Sequence, residues 1–357
     1  MWPVCRFRRK TRLRGVKKGA KEGVKEGYSM KVLVTGVGGQ LGHDVMNELA
    51  ARGYEGIGTD LAPEYSGIQD GMAVTSMPYI SMDITNRAQV LSEVEKLRPD
   101  AIVHCAAWTA VDLAEDEDKI AKVHAVNVDG TRNMADSASL CGASIVYLST
   151  DYVFDGEGER PWQPDDRNYA PLNVYGQTKL DGEKAVAGAT DRFFIVRIAW
   201  VFGRNGKNFI RTMLNVGKNH DELKVVNDQI GTPTYTLDLS TLLVDMIETE
   251  KFGYYHATNA ELPDEEGGYT AEGTRTGYIS WYDFAKEIFR QAALLGHPEY
   301  DEDHLKLIPV TTAEYGVSKA RRPFNSRLDK SKLTACGFRT LPDWRDALGR
   351  FLGEIEI

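Results

Sequence analysis

Short apolar runs alternate with segments of helical periodicity from Met30 to about residue 200. The runs at 32–34, 55–59, 79–82, 101–107, 144–149 and 193–198 are predicted strands, and predicted helices follow the first run and cover 86–98 and about 117–141. The run at 101–107 is apolar throughout, which is typical of strands buried on both faces of a sheet. The alternation predicts an α/β fold with a doubly wound parallel sheet of the Rossmann type.

The pattern becomes irregular after residue 203, and this change predicts a smaller C-terminal lobe. We therefore predict a dinucleotide-binding domain over residues 30–203 plus about 232–258, and a substrate-binding lobe over about 204–231 plus 259–357. Residues 261–276 are acidic and glycine-rich. They are predicted to form an exposed insertion loop before a helix that Ser280 caps.

The composition is that of an ordinary globular protein. The chain has 357 residues, 42% of them hydrophobic and 27% charged, so it is long enough to bury a core. The mean hydropathy is −0.37, and no apolar run reaches the roughly eighteen residues of a membrane-spanning helix, so we expect no membrane partner. Four cysteines are scattered without a Cys-x-x-Cys pair. We therefore expect a reducing, cytoplasmic location and no metal site.

The net charge of −9 is unevenly distributed. Residues 1–29 carry ten basic and two acidic side chains, a balance of +8, so the remainder carries −17. Such an acidic body argues against nucleic acid as a partner of the folded part. We predict that the tail is disordered, and three interpretations stay open: a polyanion-binding arm, a transit peptide, or a segment outside the working protein. Met30 directly before the first predicted strand favours the third.

A glycine-rich turn joins the first predicted strand to its helix. Gly36, Gly39 and Gly42 stand in the frame G-x-x-G-x-x-G, which allows a backbone to approach a pyrophosphate at a helix N-terminus. Asp60 ends the next strand, eighteen residues after Gly42, where a carboxylate accepts hydrogen bonds from the adenosine ribose. The alternative for Asp60 is a solvated turn residue. Because this carboxylate would repel a 2′-phosphate, the sequence favours NADH over NADPH as cofactor.

Two further strand ends are candidate cofactor contacts. Asp83 and Ile84 end the third strand, although Asp83 would serve equally well to cap the following helix. Ala106, Ala107 and Trp108 follow the fourth strand, where small side chains allow a cofactor to cross the sheet edge. Plain packing is the alternative for these three residues.

A tyrosine and a lysine stand four residues apart at Tyr175 and Lys179, one helical turn from each other. A neighbouring ammonium is expected to lower the pKa of the phenol and so assist proton transfer. An exposed pair is the usual alternative. Thr150, at the carboxyl end of a predicted strand, supplies a hydroxyl at the edge where open α/β sheets bind ligands. The sequence therefore predicts a catalytic set of Thr150, Tyr175 and Lys179.

Several longer motifs extend this set from Met30 to the C-terminus. They are VTGVGGQLG (34–42), AAWTAVD (106–112), LSTDYVFDG (148–156), PLNVYGQTK (171–179), RIAWVFG (197–203), GKNF (206–209), DQIGTPT (228–234) and RPFNSRLD (322–329). Together they resemble the extended short-chain dehydrogenase/reductase family and, within it, the dTDP-4-dehydrorhamnose reductases. The chain departs from that pattern in its N-terminal tail and in a longer loop at 261–276.

The resemblance implies roles for particular residues. It matches Thr150, Tyr175 and Lys179 to the catalytic triad, with Tyr175 and Lys179 also near the cofactor, and it matches Gln40 and Leu41 to the cofactor loop. It further implies that the sugar is contacted by Asp151, Tyr152 and Trp200, and the nucleotide end of the substrate by Asn208, Arg322 and Asn325. Simpler interpretations stay open for three of these: Trp200 in the core, Asn325 in a turn, and Arg322 paired with the acidic surface.

The implied activity is reduction of the C4 keto group of dTDP-4-dehydro-L-rhamnose by NADH or NADPH, with the C-terminal lobe binding the nucleotide sugar. One alternative is a nucleotide-sugar epimerase or dehydratase of the same superfamily, although the dehydratases carry a glutamate where this chain has Tyr152. Another is a non-catalytic regulatory subunit, similar to that of methionine adenosyltransferase. A homodimer is compatible with the sequence.

Overall fold

A computed structural model describes residues 29–265 and 268–357 of the chain. The predicted basic tail lies outside the described residues, apart from Ser29. Within them, the strands are β1 (Lys31–Thr35), β2 (Glu55–Asp60), β3 (Tyr79–Ser81), β4 (Ala101–His104), β5 (Ser144–Thr150), β6 (Phe193–Ile198), β7 (Val201–Phe202), β8 (Glu222–Val226), β9 (Ile230–Gly231), β10 (Thr234–Tyr235), β11 (Gly253–His256), β12 (Asn259–Ala260), β13 (Ile279–Ser280), β14 (Lys306–Val310) and β15 (Leu341–Asp343).

The α-helices alternate with these strands in the first half of the chain and cluster in the second half. They are α1 (Gln40–Ala51), α2 (Arg87–Leu97), α3 (Glu117–His124), α4 (Thr131–Cys141), α5 (Val174–Ala189), α6 (Phe209–Gly217), α7 (Thr236–Ile247), α8 (Trp281–Leu294), α9 (Thr312–Tyr315), α10 (Ser331–Ala335) and α11 (Trp344–Glu354). Over residues 29–265 and 268–357, no helix combines the length and the apolar character needed to span a membrane.

Seven strands form one parallel sheet in the order β11-β6-β5-β4-β1-β2-β3. Alternate residues of β1 face opposite sides: Val32 and Val34 pack in the core that contains α1 and α7, and Leu33 packs in the core that contains α2, α4 and α5. Helices therefore cover both faces of the sheet, which explains the uninterrupted apolar strands. The predicted doubly wound parallel sheet is confirmed.

A separate apolar cluster forms around α6, α8 and α11. Strands far apart in sequence meet beside it, since β8 pairs with β14 in parallel register, Glu222 opposite Lys306. Phe202 and Tyr235, which the predicted boundaries assign to the dinucleotide-binding domain, pack in this second cluster. The division into two domains at those boundaries stays a prediction.

The helix predicted at about 117–141 is interrupted. After α3 the chain forms a π-helical turn over Ala125–Gly130 before α4 begins. Gly130 lies so close to the side chain of Ile84 that a Cβ there would be 2.8 Å away. π-helical turns are rare and occur often at functional sites, and this one directs Asn127 toward the site described below.

Two other expectations differ from the structure. The strand predicted at 101–107 ends at His104, because the backbone N–H of Ala106 donates to Thr35 Oγ1 (3.1 Å) instead of continuing the sheet. The loop at 261–276 is not exposed throughout. Within its described residues, Thr274 and Thr276 are buried, and Thr274 Oγ1 donates to the Glu287 carboxylate in α8 (2.8 Å).

Candidate active site

A cavity of about 800 Å³ follows the carboxyl edge of the parallel sheet. Most of the predicted site residues line it: Gly36, Gly39, Gln40, Leu41, Gly42, Asp60, Asp83, Ile84, Ala106, Ala107, Trp108, Thr150, Asp151, Tyr152, Tyr175, Lys179 and Trp200. The fold therefore brings together residues from the ends of β1, β2, β4 and β5, from α5, and from the segment after β6.

The glycine turn is shaped by close backbone approaches. Gly36 has φ 71°, and a Cβ on it would lie 2.7 Å from the backbone nitrogen of Ala106. A Cβ on Gly42 would lie 2.4 Å from the carbonyl oxygen of Gly36. Gly39 is the N-cap residue of α1 and provides no side chain to bind the first N–H groups of the helix. These groups face the cavity edge and suit a phosphate.

Asp60 is held beside this turn by two backbone donors. Its Oδ2 accepts from the N–H of Gly38 (3.0 Å) and its Oδ1 from the N–H of Leu61 (2.7 Å). A carboxylate has about four acceptor positions, so two remain for ribose hydroxyls. Asp83 is bonded differently, since its Oδ1 accepts from the backbone and the hydroxyl of Thr85, and Asn86 is the residue that caps α2. The capping role considered for Asp83 is therefore wrong.

The start of α5 brings Tyr175 against the end of β5. Asn173 caps the helix by accepting from the N–H of Gly176 (2.8 Å). A Cβ on Gly176 would lie 2.4 Å from the carbonyl oxygen of Tyr152, so glycine is needed for this approach. Tyr175 packs edge-on against Tyr152, with ring centroids 5.6 Å apart, and lies beside the Thr150 hydroxyl. The same hydroxyl donates to Asp151 Oδ1 (2.9 Å).

Burial determines the protonation of these side chains. Burial, followed by the charge of Asp151, raises the pKa of Tyr175 well above its usual range, while the neighbouring Thr150 hydroxyl acts in the opposite direction. The lowering of this pKa expected from Lys179 is wrong, because desolvation dominates. Burial lowers the pKa of Lys179 to about 7, opposed by the charge of Glu183.

Asp151 is buried in the same cavity. Burial raises its pKa to about 6, while the hydroxyls of Ser326 and Thr150 act in the opposite direction. Among the described residues, none hydrogen-bonds its Oδ2. An unpartnered buried carboxylate oxygen is costly unless a ligand group satisfies it. Its position next to Thr150 suits a hydroxyl of a sugar.

The cavity fits a nicotinamide dinucleotide. Glycines are required at the turn by backbone contacts, the first N–H groups of α1 suit a pyrophosphate, and Asp60 offers free acceptor positions to a ribose. Gly39, Gln40 and Asp60 would hold the adenosine end, and Tyr175 and Lys179 the nicotinamide end. In the described part of the chain, no group of three or more His, Cys, Asp and Glu side chains is placed to hold a metal ion.

Comparison with known proteins places the chain among reductases. The sequence model of the family described as "RmlD substrate binding domain" matches residues 30–357. The dTDP-4-dehydrorhamnose reductase of Escherichia coli (strain K12) is 37% identical over 331 residues, 91% of this chain and 98% of that protein. The enzyme of that name from Streptomyces griseus is 38% identical over 322 residues, 88% of this chain and 91% of that protein. The chain belongs to the dTDP-4-dehydrorhamnose reductase family.

A solved structure of the same family shares the fold. The dTDP-4-dehydrorhamnose reductase of Bacillus anthracis str. Ames, in complex with NADP, superposes with a TM-score of 0.75 and 36% identity. The alignment covers 92% of this chain and all of that one. The family and the geometry of the cavity therefore agree.

Three residues matched to the nucleotide end of the substrate in dTDP-4-dehydrorhamnose reductases lie outside the cavity lining. Asn208 caps α6 and donates to Gln40 Oε1 (3.1 Å). Arg322 forms a bidentate ion pair with Asp112, at 3.0 and 2.7 Å. The side chain of Asn325 is buried and donates to the carbonyl oxygen of Arg160 (2.9 Å). Their substrate roles stay predictions, and the structure shows each side chain bonded within the protein.

Sequence reasoning missed two residues of this site. Asn127, in the π-helical turn, accepts from the N–H of Trp108 (2.8 Å) and donates to Thr178 Oγ1 (3.1 Å), so it joins the cofactor side to α5. Nothing in the periodicity distinguishes it from other residues of a helix. Trp281 lines the cavity and stacks on Trp200, with ring centroids 3.9 Å apart. Its place directly after the Ser280 cap was the available signal, since it fixes Trp281 at the start of α8.

Proposed function

We propose that this chain reduces the C4 keto group of dTDP-4-dehydro-L-rhamnose to give dTDP-L-rhamnose. The observation that carries the proposal is that one cavity joins the glycine turn and Asp60 to Thr150, Tyr175 and Lys179, in a chain that belongs to the dTDP-4-dehydrorhamnose reductase family. Family relatives that are 34–38% identical carry this activity in their names.

The protonation of Tyr175 suits a reduction. When bound, the reduced nicotinamide dinucleotide supplies the hydride that C4 of the sugar accepts. The hydroxyl of Tyr175 carries a proton at neutral pH, since its pKa is not lowered, and donates it to the oxygen that becomes an alcohol. Thr150 hydrogen-bonds the same oxygen and fixes it beside Tyr175. Lys179 in its charged form stabilises the phenolate that remains.

Trp200 and Asp151 orient the sugar in this scheme. Trp200 is held at φ 51°, in the left-handed region, and its ring stacks on Trp281. A non-glycine residue there is strained and is kept in place by its surroundings. A rigidly held Trp200 ring would keep the sugar in one position, and a misplacement of the substrate by about 1 Å can lower the rate about a hundredfold.

We infer that NADH is preferred over NADPH. A carboxylate that binds the adenosine ribose would repel a 2′-phosphate, and two backbone hydrogen bonds fix the Asp60 carboxylate at the end of β2. The B. anthracis relative was solved with NADP, so the family includes a member that binds the phosphorylated cofactor. The inferred preference of this chain for NADH therefore rests on Asp60 alone.

Product analysis tests the proposal. We expect that dTDP-4-dehydro-L-rhamnose incubated with the enzyme and C4-deuterated NADH yields dTDP-L-rhamnose with deuterium at C4 of the sugar, detected by NMR. Epimerised sugar without net oxidation of the cofactor would indicate an epimerase instead. Absence of turnover in protein that binds NADH and copurifies with a synthetase would indicate a regulatory subunit.

A further inference from the structure

A buried carboxylate lies one helical turn beyond Lys179. Glu183, in α5, accepts from Nε and Nη2 of Arg197 (2.8 Å each) and from the hydroxyl of Ser149 (2.6 Å). The side chains of Glu183 and Arg197 are 2% and 0% exposed. Ser149 and Arg197 lie opposite each other in the β5–β6 pairing, and Ser149 precedes Thr150. The ion pair thus joins the strand that carries Thr150 to the helix that carries Tyr175 and Lys179.

Stability alone does not explain such a pair. Removing two charges from water is costly, and well-packed apolar side chains of similar volume often stabilise a fold equally well or better. Arg197 is nevertheless fully bonded: Nη2 also donates to the Tyr169 hydroxyl (2.8 Å) and Nη1 to the carbonyl oxygen of Pro164 (3.3 Å). Arg197 therefore fixes the carboxylate of Glu183 at one point beside the catalytic helix.

Several titratable groups close to Lys179 are uncharged near neutral pH. Burial lowers the pKa of His104 to about 3 and raises the pKa of the Cys105 thiol to about 12, so both are neutral near pH 7. The pKa of His256, which faces Arg197, is lowered well below its usual value by burial. The remaining neighbours are the phenols Tyr147, over whose ring Lys179 Nζ lies (4.2 Å to the centroid), and Tyr175. Among the described residues, Asp151 is a carboxylate that lines the cavity and acts on the pKa of Tyr175, whereas Glu183 is the carboxylate that opposes the desolvation of Lys179.

We propose that Glu183 is a positioning residue, held by Arg197, whose carboxylate keeps Lys179 charged during the reduction and fixes Thr150 through Ser149. The inference rests on the proposed reductase function. Lys179 must carry a proton to stabilise the phenolate of Tyr175, so activity falls as pH rises through the pKa of Lys179. Without the charge of Glu183, desolvation acts unopposed and this fall begins at lower pH.

The test compares kcat/KM against pH for the wild type, Glu183→Gln and the double variant Glu183→Gln/Arg197→Met. The double variant removes both buried charges and leaves neither unpaired. It therefore serves as the test protein if the single variant does not fold. We expect the alkaline fall to move to lower pH by about one unit in Glu183→Gln, and by less in the double variant, which also removes the positive charge of Arg197. Glu183→Asp, which keeps the charge, is expected to keep the wild-type position of the fall. Glu287→Gln is the matched control, since Glu287 is as buried as Glu183 but pairs with Arg290 away from the cavity.

A titration of Lys179 by NMR, in protein labelled with ¹³Cε-lysine and assigned with Lys179→Met, supplies a readout that needs no turnover. A lower pKa of Lys179 in both Glu183 variants supports the proposal. An unmoved pKa, or a double variant with wild-type kcat/KM across the pH range, overturns it and leaves Glu183 a structural residue. An inactive wild type with a displaced Lys179 pKa would instead contradict only the proposed reductase function.

Discussion

Burial sets the chemistry of the single residues at this site. Lys179 is buried and Tyr175 is partly buried, and this desolvation raises the pKa of the phenol and lowers that of the ammonium to about 7. The spacing of the two residues predicts that they share a helix face, and the structure shows both lining one cavity. The direction of the Tyr175 shift could not be predicted from spacing, because it depends on the solvent that the fold excludes.

The Asp60 carboxylate is the basis for the predicted preference for NADH over NADPH. Replacing it with serine, Asp60→Ser, removes the negative charge that opposes a 2′-phosphate, so we expect kcat/KM with NADPH to rise relative to NADH by about tenfold or more. Such a ratio corresponds to about 1.4 kcal/mol. Steady-state kinetics with both cofactors measure it. Glu64 lies four residues after Asp60 and does not line the cavity. Glu64→Gln is therefore the control, and it should leave the ratio of kcat/KM with NADPH to kcat/KM with NADH unchanged. A wild type that already prefers NADPH would contradict the inference.

At the scale of elements, periodicity predicts most of the parallel sheet. The runs at 55–59, 144–149 and 193–198 correspond to β2, β5 and β6 within one residue, because strands covered on both faces are mostly apolar. The π-helical turn at Ala125–Gly130 could not be predicted in this way. It depends on the contact of Gly130 with Ile84 and on the bonds of Asn127 to residues distant in sequence.

The glycine turn gives a prediction at this scale. Gly36→Ala is expected to be strongly destabilising, because the new Cβ would meet the Ala106 backbone at 2.7 Å in addition to the strain at φ 71°. Gly142→Ala is the matched control: Gly142 has φ 78° and open space around it, so only the left-handed strain of about 1–2 kcal/mol applies. Denaturant unfolding and NADH binding measure the two effects. Equal losses of stability would show that the close approach at Gly36 is not significant.

At the scale of the molecule, contacts between distant segments hold the C-terminal half of the chain together. The pairing of β8 with β14 and the bond between Asp112 and Arg322 join segments separated by more than eighty residues. Residue patterns predict an irregular region after 203 but not these partners, since local periodicity carries no information about long-range pairing. For the same reason the contact of Trp281 with Trp200 could not be predicted.

The ion pair between Asp112 and Arg322 allows a test of the substrate role predicted for Arg322. Asp112→Asn and Arg322→Gln both break this pair, but only the second removes a cation that could bind a diphosphate. If Arg322 serves the substrate, we expect Arg322→Gln to raise KM for the nucleotide sugar about tenfold, the value of one charge-assisted hydrogen bond. Asp112→Asn should leave KM near the wild-type value. Equal effects in the two variants would show that Arg322 acts only by joining the two segments.

The most direct test of the central claim is NADH oxidation, followed by absorbance, with dTDP-4-dehydro-L-rhamnose as substrate for wild type and Tyr175→Phe. Removal of the proton donor is expected to lower kcat by about 10² to 10⁴-fold while NADH binding, measured by fluorescence, is retained. Tyr54→Phe is the control, because Tyr54 bonds Glu248 at the opposite edge of the sheet. Rapid wild-type turnover that collapses only in Tyr175→Phe is the predicted result. Undiminished turnover in Tyr175→Phe, or none in the wild type, would contradict the account.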